Sequence, residues 1–219
     1  PDHTGFWFDK SDGIFLGHTR LSIIDLAVEN NQPFQFKNSI LVYNGEIYNY
    51  LELKKELIAK GNIFKTLGDT EVLSSFLESN QGKELEKLDG MFAFAQYKNQ
   101  QLSLAIDLFG EKPLYWCRNS SGFYFSSEPA PLIQMLNLQF DESIEKKLMF
   151  NTLGYLTNGE TFYHGLHRMM PATAININRN GTPQILKYWS RPKYRFQETN
   201  PKHLSNAEVD HIHEAITSS

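Results

Sequence analysis

The chain has 219 residues, of which 41% are hydrophobic and 21% charged, with a net charge of −4. That composition is enough for one sizeable core. It excludes the broad basic field of a nucleic-acid binder, and no apolar run reaches the length of a membrane span. Cys117 is the single cysteine, which excludes an internal disulfide framework and points to a reducing compartment, with the cytoplasm as the expected location.

The first elements read as short strands. Asp9-Lys10-Ser11-Asp12-Gly13 is a turn cluster between Phe6-Trp7-Phe8 and Ile14-Phe15-Leu16. Ile40-Leu41-Val42-Tyr43 is a β-branched and aromatic run suited to a buried strand. The period then changes: Tyr50, Leu53 and Leu57 recur at helical spacing, and Gly61 stands where a helix closes. Asp69 precedes a second helical pattern, Val72, Leu73, Phe76 and Leu77, and reads as its N-cap. Met91 to Tyr97 and Leu102 to Ile106 are strands joined by a polar turn. Leu114-Tyr115-Trp116 and Phe123-Tyr124-Phe125 form a hairpin across Asn119-Ser120-Ser121-Gly122. Residues 141 to 156 are expected to be helical. Ala172 to Asn178 and Ile185 to Trp189, split by Asn180-Gly181, read as a last hairpin. Strand pairs with helices between them predict an α+β layered plan with antiparallel sheets. Ser190 to Asn206 is polar and reads as a linker. Val209, Ile212 and Ile216 then give one apolar stripe of a helix. A start at Pro1-Asp2 and a helix pattern running almost to Ser219 suggest a piece of a longer protein.

Three segments carry chemistry. Arg20 ends an apolar strand pattern, and its fork can grip a carboxylate through two parallel hydrogen bonds. The plainer reading is a solvated arginine or one paired with Asp25. Asn44-Gly45 is either a type I′ hairpin turn or a strand end whose amide and glycine N–H converge on one oxygen, as in an oxyanion hole. Glu46 and Asp69 can each accept from an ammonium, or serve as a turn carboxylate and a helix cap. His18, His164 and His167 lack zinc spacing. His211 and His213 lie two apart on a helix and face different ways. Cys117 sits in a strand-like run and reads as inert packing.

Taken in order, these segments resemble the glutaminase domain of glutamine-hydrolysing asparagine synthetase, a class II glutamine amidotransferase. The resemblance runs through Pro1-Asp2-His3-Thr4-Gly5, His18 to Asp25, Gln32-Pro33, Tyr43 to Asn49, Gly68 to Val72, Leu88 to Ala95, Asp107 to Tyr115 and Ser126-Ser127-Glu128. It covers nearly all of residues 1 to 189. The fold it implies is the four-layer αββα N-terminal-nucleophile hydrolase sandwich with two antiparallel sheets. The activity it implies is hydrolysis of L-glutamine by an N-terminal cysteine whose own α-amine is the base. By that resemblance Arg20 holds the glutamine carboxylate, and Leu21, Ser22, Ile23 and Ile24 line the pocket. Glu46 and Asp69 hold the ammonium, while Asn44 and the Gly45 N–H form the oxyanion hole. The family cysteine and its strands fall upstream of Pro1, so an exposed sheet edge is expected. Residues 190 to 219 are expected to lead into a synthetase domain of the same polypeptide, which uses ATP and Mg²⁺ to activate aspartate. No cofactor or metal is expected within these 219 residues. A homodimer is left open. Two rival readings remain: an amidotransferase acting on a sugar or other carboxylate in cell-surface polysaccharide synthesis, and a non-catalytic glutamine-binding module.

Overall fold

In the computed structural model, the structure describes residues 3–20, 31–80, 82–178, 181–191 and 205–217. In chain order the elements are β1 (His3–Asp9), β2 (Ile14–Arg20), β3 (Phe34–Phe36), β4 (Ser39–Ile47), α1 (Tyr50–Ala59), α2 (Asp69–Asn80), β5 (Gly90–Lys98), β6 (Gln101–Ile106), β7 (Tyr115–Asn119), β8 (Gly122–Ser126), α3 (Pro129–Leu136), α4 (Ile144–Leu153), β9 (Leu166–Arg168), β10 (Thr173–Ile177), β11 (Pro183–Lys187) and α5 (Asn206–Thr217). The strands form a six-stranded sheet of order β11-β10-β6-β5-β4-β3, a three-stranded sheet of order β8-β7-β9, and the β1-β2 pair. The ladders are antiparallel.

The layers follow from the period-two alternation of the central strands. Leu41, Tyr43, Phe92, Phe94, Ala105 and Ala174 point to one face and pack on Leu53 and Leu57 of α1 and Val72, Leu73, Phe76 and Leu77 of α2. Ile40, Val42, Ala93, Ala95, Leu104 and Ile175 point to the other face. They meet Trp7 and Leu16 of the β1-β2 pair and Trp116, Phe123 and Phe125 of the three-stranded sheet. The outer face of that smaller sheet, carrying Cys117 and Leu166, packs on Leu132 of α3. The result is helix, sheet, sheet, helix. The second sheet layer is in two pieces, β1-β2 and β8-β7-β9.

The predicted hairpins at 9–13, 98–101, 119–122 and 178–183 are present. Asp9 Oδ1 accepts from Ser11 N at 2.8 Å and closes the first turn. Gly61, at φ +89°, follows α1 as expected. Three elements were not foreseen. α3 spans eight residues and holds Pro129 and Pro131, which read locally as breakers rather than as helix. β3 and β9 span three residues each, too few to alternate legibly. The helix expected over 141–156 is confined to Ile144–Leu153, because Asp141 accepts from Ser143 N at 3.0 Å in a turn before it and Gly154 closes it in the left-handed region. The expected linker falls largely on residues 192–204, outside the described residues. The stripe of Val209, Ile212 and Ile216 lies on α5, which is largely exposed.

Buried carboxylates tie loops to this frame. Glu71 is 4% exposed. It accepts from Lys65 N at 2.9 Å, Thr66 N at 2.7 Å and Thr66 Oγ1 at 2.8 Å, which fixes the loop before α2. Asp107 is fully buried. It accepts from the backbone N–H groups of Phe92 (3.1 Å), Phe109, Glu111 and Lys112 (3.0 Å each). Replacing Asp107 with alanine leaves one buried and three part-buried donors without their acceptor, and the expected loss is about 3 kcal/mol of unfolding free energy. Urea denaturation checks this, and a loss below about 1 kcal/mol would show that water satisfies the loop equally well.

Candidate functional site

The end of β4 carries the Asn44-Gly45-Glu46 segment. It is not a turn. β4 stays paired with β5 through its whole length, with Asn44 opposite Ala93, Gly45 opposite Phe92, Glu46 opposite Met91 and Ile47 opposite Gly90. Glycine is required at two of these positions. Gly45 has φ +142°, and a Cβ there would lie 2.0 Å from the Met91 carbonyl oxygen. Gly90 has φ +155°, and a Cβ there would lie 2.1 Å from the Glu46 carbonyl oxygen. No L side chain fits so close an approach in that conformation.

Alternation then sorts the side chains. Asn44 shares the face of Val42, away from α1 and α2, and it is exposed. There it lines a cavity of about 140 Å³ with Gly17 and His18 of β2, Leu114, and Phe125, Ser126 and Ser127 at the end of β8. Among the described residues β2 pairs only with β1, and β8 only with β7. The cavity is therefore a slot between two strands whose other edges pair with no described strand, floored by β4 and β5.

Tyr43 points the other way, into the helix layer. Its hydroxyl donates to Asp69 Oδ2 at 2.7 Å, and Ile47 N donates to the same oxygen at 3.1 Å. The predicted N-cap role is thus replaced. Asp69 opens α2 itself, and its carboxylate reaches across to β4. Burial, with the negative charges of Asp69 and Glu46 adding to it, pushes the Tyr43 hydroxyl far up, so it stays a donor. Tyr43 is also held through its backbone. Gln32 Nε2 donates to its carbonyl at 2.9 Å, and Tyr43 N donates to Gln32 Oε1 at 2.5 Å. Beyond the strand end, Tyr48 N donates to the Asp89 carbonyl at 2.7 Å. The Asn49 side chain brackets the same loop, donating to Lys87 O at 2.9 Å and accepting from Asp89 N at 3.1 Å.

The structure therefore brings Asn44, Gly45, Glu46 and Asp69 to one strand end. Arg20 is the last residue of β2, its Cα paired with that of His3, two positions beyond His18 in the slot. Nothing is described of its side chain, and Leu21, Ser22, Ile23 and Ile24 lie outside the described residues. Cys117 is 2% exposed and sits among Leu132 and Leu166 on the far side of the smaller sheet. Burial pushes its thiol up, so it is packing, as its strand context indicated. Gln32, Tyr43, Glu71 and Asp107 are the positioning residues that sequence reasoning missed. All four lie in the motif blocks, but a buried polar group has no periodic signature. Among the described residues, no group of three His, Cys, Asp or Glu side chains is placed to hold a metal ion.

Comparison with known proteins now has a geometry to attach to. The glutamine amidotransferase domain model matches residues 1–189. Asparagine synthetase [glutamine-hydrolyzing] 1 of Bacillus subtilis is 32% identical over 223 residues, covering 99% of this chain and 34% of the relative's own length. Asparagine synthetase [glutamine-hydrolyzing] 3 of the same organism is 29% identical over 199 residues, covering 87% of this chain and 31% of its own. The chain thus spans about a third of the length of the curated relatives it matches. Among solved structures, the Bacillus subtilis glutamine phosphoribosylpyrophosphate amidotransferase complexed with ADP and GMP superposes with a TM-score of 0.57 at 24% identity, over 80% of this chain and 35% of that one. That likeness bears on the fold, the N-terminal-nucleophile hydrolase sandwich. With a family model spanning 189 of its 219 residues, this chain belongs to the glutamine amidotransferase domain family.

Proposed function

We propose that this chain is the glutamine-hydrolysing portion of an asparagine synthetase. The observation that carries the proposal is the slot between β2 and β8, whose other edges pair with no strand among the described residues, with Asn44 in its floor. An extended segment seated there would pair with both edges and place its first residue beside Asn44 and Gly45. That segment is the one carrying the thiol nucleophile. The thiolate attacks the side-chain amide carbon of glutamine, and its α-amine takes the proton. The Asn44 amide and Gly45 N–H stabilise the tetrahedral oxyanion. Ammonia leaves, and water releases glutamate from the thioester. Arg20 grips the substrate carboxylate, Glu46 and Asp69 hold its ammonium, and Leu21 to Ile24 line the pocket. Ammonia passes to a synthetase domain beyond residue 190, where ATP and Mg²⁺ activate aspartate.

Glutamate release from glutamine tests the reading directly. It is expected from the chain extended to its natural start and not from residues 1–219 alone. Activity in neither would leave a glutamine-binding module, and activity in residues 1–219 alone would overturn the proposed nucleophile. In the extended protein, Arg20→Lys is expected to raise the glutamine KM at least about tenfold, because a point charge cannot replace the fork. Asn44→Ala is expected to lower kcat by about a hundredfold with a smaller change in KM. Unchanged constants would return either residue to a structural role.

Tyr43 acts through Asp69, so its effect should fall on binding. Tyr43→Phe removes one hydrogen bond to the carboxylate. The expected result is a glutamine KM raised about fivefold or more, with kcat nearly unchanged. An equal fall in kcat and no change in KM would contradict that division.

A further inference from the structure

α1 and α2 cover the six-stranded sheet over β3, β4 and β5, and leave the face of β6, β10 and β11 with a hollow. The hollow is a cavity of about 360 Å³ beyond the end of α2, within the roughly 300–1,000 Å³ range of small-molecule sites. Its floor is two registered rows. In one, Gln96 faces Ser103, Ser103 faces Asn176, and Asn176 faces Gln184, so amide and hydroxyl groups run across four strands. In the next, Ala105 and Ala174 stand between Phe94 and Leu186. The small alanines make the depression, and Phe94, Leu186 and Tyr188 wall it.

One member of the polar row is unsatisfied. Gln96 is 7% exposed, and its buried Nε2 has no hydrogen-bond partner among the described residues. Beside it, Gln101 Nε2 donates to Ser103 Oγ at 3.3 Å. A buried amide donor with no acceptor is destabilising, and a leucine there would serve packing better. Lys83, Glu84 and Lys187 border the mouth. Glu84 is paired with Lys87 at 2.8 Å, so the rim is biased positive.

We propose that this hollow binds a small anion with a flat ring whose edge carries both donors and acceptors, the chemistry of a nucleoside monophosphate. The ring lies over Ala105 and Ala174 between apolar walls, its edge is read by Gln96, Ser103 and Asn176, and its phosphate faces the Lys83 side of the rim. The site is on the opposite face of the sheet from Asn44 and stands or falls independently of the glutaminase reading.

Calorimetric titration of the full chain with AMP, GMP, CMP and UMP tests it, with inorganic phosphate as the control. At least one nucleotide is expected to bind with a Kd below about 1 mM, and phosphate at the same concentration is not expected to compete. Gln96→Leu is expected to weaken binding about tenfold or more while the melting temperature holds or rises. Lys83→Glu is expected to weaken it about threefold at low salt. If Gln96→Leu does not fold, Asn176→Leu at the half-buried neighbour carries the same expectation. No heat with any of the four nucleotides, equal binding of phosphate alone, or unchanged affinity in the polar-row and Lys83 variants would each overturn the proposal.

Discussion

The carboxylate of Asp107 sets the geometry on which the rest of this molecule depends. It has no exposed surface, yet it accepts from four backbone N–H groups, the arrangement that makes burial of a polar acceptor tolerable. Its backbone is committed as well: Asp107 N donates to Phe92 O, and its carbonyl accepts from Gly110 N and Ala172 N. One residue thus joins the start of β5, the loop 107–112 and the segment entering β10. Phe92 is the partner of Gly45 across the ladder. The position of the Gly45 backbone is therefore set by Asp107 through Phe92 and by the close approach of the Met91 and Phe92 backbone.

β4 divides labour between its faces. Leu41, Tyr43 and Ile47 build the helix-side core, and Tyr43 fixes Asp69 there. Asn44 faces the slot. Because the side-chain period is two, a one-residue slip of β4 would exchange these sets. The two-point grip of Gln32 on the Tyr43 backbone, 2.9 and 2.5 Å, and the close backbone approaches at Gly45 and Gly90 prevent that slip. Packing and candidate chemistry are thus held by the same register.

Much of this was legible from periodicity. The turn at Asp9 to Gly13, the switch from period two to helical spacing after Tyr48, and the alternation of Phe92-Ala93-Phe94-Ala95 each predicted an element that is present, because each reports a burial pattern one residue at a time. What was illegible depended on partners far away in sequence. Asn44-Gly45 has the composition of a hairpin turn, and only the nine-residue ladder with β5 shows it as strand. Asp69 stands at a helix start, where capping is the local expectation, but the Tyr43 hydroxyl lies 26 residues back and claims its carboxylate. Glu71 and Asp107 look like surface acids in sequence and are buried acceptors. α3 is eight residues long and holds Pro129 and Pro131, so its periodicity is too short to read. For the candidate site, the order of the motif blocks nominated the residues, but not their division between the two faces of β4.

The slot gives the proposed chemistry a structural consequence. Two strand edges that pair with no strand among the described residues are a liability if left so in a folded protein, since either can recruit a foreign strand. A segment inserted between them removes both edges at once. If that segment carries the nucleophile, the ladder hydrogen bonds that complete the second sheet also fix the thiol against Asn44 and Gly45. Catalytic placement and sheet completion then become one event. The entropic cost of ordering the nucleophile is met by strand pairing rather than by contacts made for catalysis alone. The same coupling explains why the floor of the slot is small: Ala93 and Ala95 lie beneath it, and bulkier side chains there would hold an inserted strand away from β4.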